Sequence, residues 1–188
     1  GKAKAEFGSL HVRGGEFIAS EIEAAMDTAT LVQEACREIV ELTRDRGAVL
    51  VFASGVDHCR HVAAEIGRLS GQECGVVTGD TPSAERAELL ARFRGAPVQE
   101  GLFERKPPLK YLANVNVLTT GFDATNVDCV VLLRPTNSPG LYVQMVGRGT
   151  RLHPGKADCL VLDFGGNVLR HGPVDAIAVR DDGGGQGQ

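Results

Sequence analysis

Residues Ala48–Ala53 read AVLVFA, six apolar residues in unbroken succession between Gly47 and Ser54–Gly55. A strand with one wet face alternates apolar and polar positions, whereas an unbroken run is apolar on both faces. That is the pattern of a strand in a parallel sheet covered by helices on each side. Upstream, residues 16–27 and 31–46 carry helical spacing. Phe17, Ile18, Ile22 and Met26 recur on one face, and Leu31, Val32, Cys36, Ile39 and Val40 on another. Thr30 with Gln33 predicts a capping box for the second helix, and Gly47 its stop. Downstream, the pattern predicts a helix over 56–69 closed by Gly71, a strand over 74–78, and a helix opened by Thr81–Pro82 and ended by Gly95. It then predicts strands over 109–118, 129–133 and 159–162, with a helix over 139–147. Residues 96–108, broken by Pro97, Gly101, Pro107 and Pro108, read as a loop. Strands alternating with helices imply right-handed crossovers, hence an α/β fold of three layers with helices on both faces of a parallel sheet.

The chain has 188 residues, room for one domain and hardly two. Residues 1–46 read as a helical connector, 47–170 as the α/β domain, and 171–188 as a tail whose Gly/Gln-rich end is expected to be disordered. The start at Gly1 suggests a piece cut from a longer protein. Twenty basic against 24 acidic side chains give a net charge of −4, which excludes a free-standing basic nucleic-acid module. The charge is unevenly spread, since residues 92–156 carry nine basic and four acidic side chains. Five cysteines without a CxxC pair suggest reduced thiols in a cytoplasmic protein. His58, Cys59 and His61 are ligand-type residues, but they read as a helix face because no second pair lies nearby. Neither a membrane span nor a secretion signal is evident.

Open parallel sheets bind ligands at the carboxyl ends of their strands, so the loops at Ser54–Gly55, 78–80, 119–128, 135–140 and 163–167 are where function is sought. Gln144–Arg151, QMVGRGTR, sets two arginines three apart among glycines. Such guanidinium forks either grip phosphate oxygens or form a solvated helix end. Arg105, Lys106 and Lys110 read as a basic loop cluster or ordinary surface, and His153–Lys156 as a phosphate-contacting loop or a turn.

From Ala48 to Asn167 the chain resembles the second RecA-like domain of superfamily 2 DEAD/DEAH-box-type helicases, a P-loop NTPase-like fold. QMVGRGTR resembles that family's motif VI, VLTTGFDATNVD (117–128) its motif V, VLVFASG (49–55) its motif IV, and TGDTPSAERAELLARFRG (78–95) the segment that follows. Residues 134–167 are most similar to bacterial helicases of the RadD type and, more distantly, to type I restriction translocases. The resemblance implies that Gly121 and Asp123 touch ATP, Asp123 at the ribose. It makes Arg148 and Arg151 arginine fingers on the γ-phosphate, with Gln144 coupling the nucleotide to the interdomain cleft. Ser54, Gly79, Thr119 and Thr120 would line a nucleic-acid backbone, DNA being favoured over RNA. For Asp123, a turn-forming role stays open.

No GxxxxGK[ST] and no DExx box occur in the sequence. The nucleotide cradle and the Mg²⁺ site are therefore expected on an amino-terminal RecA-like domain outside this chain, and the chain alone is expected not to hydrolyse ATP. Two other readings remain open: a non-catalytic RecA-like module binding nucleic acid or protein, and a duplex translocase that does not unwind.

Overall fold

The computed structural model describes residues 10–96, 98–100, 104–117 and 123–176. In chain order it begins with a short hairpin, β1 (Val12–Arg13) and β2 (Glu16–Phe17), followed by helices α1 (Ala19–Met26) and α2 (Ala29–Leu42). Next come β3 (Val49–Phe52), α3 (Val56–Ser70), β4 (Cys74–Val77), α4 (Ser83–Phe93) and a second hairpin, β5 (Val98–Glu100) with β6 (Glu104–Lys106). The order closes with β7 (Tyr111–Asn114), β8 (Cys129–Leu132), α5 (Pro139–Val146), β9 (Leu160–Asp163) and α6 (Asn167–His171).

Five strands form one sheet in the order β4-β7-β3-β8-β9. Every pairing in it is parallel, with Val49 opposite both Tyr111 and Cys129. The AVLVFA run is the central strand, buried on both faces, which accounts for its lack of polar residues. Its side chains alternate between two cores. Val49, Val51 and Ala53 join Ile22, Cys36, Ile39, Val62 and Ile66 beneath α1–α3, while Leu50 and Phe52 join Leu89, Phe93, Tyr142 and Met145 beneath α4 and α5. Each of the large side chains, sealed on its own face, contributes roughly 1.5–3 kcal/mol. The helices α1 and α2, which the sequence reading sets apart as a connector, fill the same core as the sheet.

Local details depart from the sequence expectations for identifiable reasons. Thr28, not Thr30, caps α2: its backbone is extended, and its hydroxyl accepts the Leu31 N–H at 3.4 Å. That helix stops at Leu42, well before Gly47. Thr43 turns its hydroxyl back onto the Ile39 carbonyl at 2.7 Å and lies 3.1 Å from the Tyr111 hydroxyl. The expected loop over 96–108 contains the β5–β6 hairpin. The expected strand over 109–118 is regular only over Tyr111–Asn114, because Asn116 takes a left-handed φ of 56°. Gly71 closes α3 as expected, with φ 69°. The Gly/Gln-rich end of the tail lies outside the described residues. No helix among the described residues is long and apolar enough to cross a membrane.

Candidate functional site

The helix α5 returns from the carboxyl end of β8 to the amino end of β9, so it runs antiparallel to the strands. Ser138 starts it, its hydroxyl accepting the Leu141 N–H at 3.2 Å with Pro139 behind. Its far end delivers the GRGTR segment to the amino-terminal edge of the sheet, opposite the edge where strand-end loops converge. Gln144 is exposed on the helix, and Arg148, just past it, is buried.

Arg151 meets Asp123 there, with Nη1 2.5 Å from Oδ1. The family resemblance assigns both residues to one nucleotide, and the fold brings them together across 28 positions. Burial, and then the neighbouring charge of Arg151, hold the Arg148 guanidinium below its ordinary pKa, while Asp123 opposes the shift. Lys156 organises the turn beneath them. Its ammonium donates to the carbonyls of Gly149 at 2.7 Å and Arg151 at 2.5 Å, so it builds the loop and is not offered to a phosphate. His153 lies 2.9 Å from the Thr125 hydroxyl, tying the same turn to the segment after Asp123. Gly149 is required by packing, because a Cβ there would lie 2.1 Å from Cys159 Sγ.

At the opposite edge stand Ser54, after β3, and Gly79, after β4. Gly79 is exposed in a turn in which the Thr78 N–H donates to Thr81 Oγ1 at 2.8 Å and Arg86 donates to the Thr78 carbonyl at 3.0 Å. A cleft of about 270 Å³ opens beside this turn, lined by Arg60, Thr78, Asp80, Thr81 and Glu85 among others. Thr119, Thr120 and Gly121 fall outside the described residues.

The Ser54 hydroxyl is not free, lying 2.5 Å from His58 Nδ1 inside the protein. His58 is 1% exposed, and burial pushes its imidazole down to about 4. An unfolded chain takes that proton near 6.5 and the folded one only near 4, so between those values protons favour unfolding. This contribution is complete above the unfolded pKa and is lost toward pH 4, by up to about 1.4 kcal/mol per pH unit. Urea unfolding from pH 7.5 to 4.5 is expected to show that loss in the wild type and a flatter curve in His58→Gln. Equal slopes would remove His58 as its cause.

The remaining sequence candidates disperse. His58 turns inward, Cys59 is sealed in the core with its thiol pushed up to about 12, and His61 faces Asp27 at 2.9 Å on the surface. Among the described residues no group of three or more His, Cys, Asp or Glu is placed to hold a metal ion. Lys106 pairs with Glu88 at 3.0 Å, and Lys110 donates to the Arg44 carbonyl at 3.2 Å, so these two do not form one basic patch. Arg92, also from the basic segment, is 2% exposed and bound to Glu73 and to the Pro107 carbonyl, where it braces α4.

The family model described as the helicase conserved C-terminal domain matches residues 31–153. The chain belongs to this family. Among curated proteins, the Schizosaccharomyces pombe protein irc3, named as a mitochondrial ATP-dependent helicase, is 36% identical over 164 residues, covering 82% of this chain and 25% of that protein. The Saccharomyces cerevisiae helicase IRC3 is 27% identical, covering 87% and 22%. This helicase C-terminal domain thus spans about a quarter of the length of those relatives.

Solved structures agree on the fold. A fragment of an HsdR subunit of a type I restriction enzyme from Vibrio vulnificus matches with a TM-score of 0.61 at 24% identity, covering 82% of this chain and 29% of that one. The Escherichia coli DEAD-box protein SrmB matches at 0.59 and 17% identity, covering 76% and 78%. The five-stranded parallel sheet with helices on both faces is accordingly the RecA-like sheet of helicase carboxyl-terminal domains.

Proposed function

We propose that this helicase C-terminal domain is the second motor lobe of an ATP-dependent DNA helicase or translocase, completing a nucleotide site on a first RecA-like lobe. The observation that carries the reading is the convergence of Arg148, Arg151 and Asp123 on one edge of the sheet. The residues present fit part of a nucleoside triphosphate: guanidinium forks suit phosphate oxygens, and a carboxylate suits ribose hydroxyls. Arg148 and Arg151 would neutralise charge on the γ-phosphate, Asp123 would accept from the ribose, and the exposed Gln144 would report on the facing lobe. Gly121 belongs to the same motif. Hydrolysis supplies the free energy for stepping.

A P-loop and an Mg²⁺-holding acid have no counterpart in the sequence, so both are assigned to the first lobe. In this lobe Asp123 neutralises Arg151 and must release it before either can meet the nucleotide. The strand is assigned to the opposite edge, to Gly79 together with Thr119 and Thr120, where small and hydroxyl residues suit a backbone read without regard to sequence. Ser54, its hydroxyl held against His58, borders that edge from within.

Comparing the 188-residue chain with the intact protein tests the reading. Nucleic-acid-stimulated ATP hydrolysis is expected from the intact protein and none from the chain alone. Hydrolysis by the isolated chain at the intact rate would overturn the shared site, and an intact protein inert toward ATP with every nucleic acid would overturn the motor assignment.

A further inference from the structure

The segment from β1 to α1 lays two carboxylates along the carboxyl edge of the sheet. Glu16 accepts the Asn137 N–H through Oε1 at 2.6 Å and the Thr136 hydroxyl through Oε2, just ahead of the amino terminus of α5. Glu23 accepts the N–H groups of Asp57 and His58 at 3.1 and 3.2 Å, in the first turn of α3. It is so close that a Cβ at Gly55 would lie 2.0 Å from its Cδ. Glu23 meets the start of α3, where unpaired N–H groups and the helix dipole select an anion, and Glu16 meets the loop that leads into α5. At both, one short stretch of this chain supplies the anion.

Beside Glu16 stands a group that Glu16 does not satisfy. Arg134 is 8% exposed, and its buried Nε has no hydrogen-bond partner among the described residues. Burial holds its pKa below the ordinary value, and Glu16 acts on it only through space. A buried, unsatisfied donor is costly, and one on a charged fork costs more than a neutral one. The loop therefore gives a backbone N–H and a hydroxyl to one carboxylate, within electrostatic reach of a guanidinium that carries an unmet donor.

We propose that the Arg134–Thr136–Asn137 loop is a subsite for a phosphodiester of a nucleic-acid strand, and that Glu16 holds it shut as a carboxylate stand-in which the strand must displace. The inference rests on the reading that the carboxyl edge takes the strand. A polymer is favoured over a free ion because two such cradles, at α3 and at α5, lie along the edge that carries Ser54 and Gly79, and a strand presents its anions in series. Displacement exchanges one anion for another, so the net gain is small while Glu16 is charged. Neutralising Glu16 converts that exchange into a straightforward capture of charge.

The 188-residue chain, titrated with a fluorescent single-stranded oligothymidylate and read by anisotropy at several salt concentrations, tests this. Glu16→Gln is expected to tighten binding about tenfold and to steepen the salt slope by about 0.7, the value for one more neutralised phosphate on a single strand. Arg134→Met in the Glu16→Gln background is expected to erase the gain. Thermal unfolding of each variant is measured alongside, and if Arg134→Met does not fold, Arg134→Lys, which keeps the charge and loses the fork, should lose most of the gain. Wild-type binding that Glu16→Gln leaves unchanged would overturn the subsite while leaving the strand assignment of the edge standing. If no variant binds the strand, both readings fall. If millimolar inorganic phosphate erases the gain and leaves wild-type affinity intact, the cradle serves a free anion and the strand assignment of this subsite is wrong.

Discussion

Arg148→Ala in the intact protein is expected to lower nucleic-acid-stimulated ATP turnover about 10³-fold or more, the usual range for a lost arginine finger. Arg148 should weigh more than Arg151 because its surroundings are already committed. It is 9% exposed, whereas Arg151 is a third or more exposed and shares its charge with Asp123. A preorganised, desolvated guanidinium acts most strongly on charge that develops in the transition state. kcat and kcat/KM should therefore fall together, leaving ATP affinity nearly unchanged. Arg148→Lys keeps a charge without the fork and is expected to recover little. Because the residue is buried, the melting temperature of each variant separates lost chemistry from lost structure. Turnover unchanged in a folded Arg148→Ala protein would remove the finger assignment.

Asn167→Ala is expected to be the most damaging change outside the nucleotide edge. Asn167 is fully buried at the start of α6. Its Oδ1 accepts the Thr136 N–H at 2.9 Å, and its Nδ2 donates to the Arg134 carbonyl at 2.9 Å and to Asp163 Oδ1 at 3.0 Å. One side chain thus fastens the exit of β9 to the loop between β8 and α5. Truncation strands a buried N–H and a buried carbonyl, at about 4 kcal/mol for the two. For a chain of this length that corresponds to a fall in Tm of roughly 8–16 °C. Asn167→Asp keeps the acceptor, but it loses the donor and sets a second carboxylate against Asp163, so it should be nearly as harmful. A calorimetric shift of under roughly 3 °C for Asn167→Ala would contradict the fastening role.

These two residues show what a sequence discloses. The sheet was legible because unbroken apolarity in AVLVFA is a local property, and the nearness of Arg148 to Arg151 because they lie three positions apart just past one helix. Gly71 was legible for the same reason, whereas Thr30 was mistaken for the cap that Thr28 provides. Two threonines two positions apart offer the same chemistry, and only the backbone conformation decides between them. The three-residue strands β5 and β6, reading VQE and ERK, lack the apolar pattern that would mark them. Contacts across long separations carried no signal of their own; only the family resemblance linked Asp123 with Arg151. Asp123 reaches Arg151 over 28 residues, Asn167 reaches Thr136 over 31, and Glu16 reaches Thr136 over 120. The sequence pointed to the loops at 135–140 and 163–167, but it could not show that their polar groups face one another and an acid from the first hairpin. It placed the strand-end loops at sheet carboxyl ends and QMVGRGTR at a helix end, but did not show that the crossover through α5 sets the two on opposite edges of the sheet.

That helix has only eight residues, a rod of about 12 Å. Its first turn rests against the Thr136–Asn137 loop and its last delivers Arg148, while Tyr142 and Met145 wedge its middle into the core. A rod this short, held along its length, neither bends nor compresses appreciably. An axial displacement of the loop that Glu16 holds would therefore be carried along this rod toward Arg148, so that a single helix joins one edge of the sheet to the other.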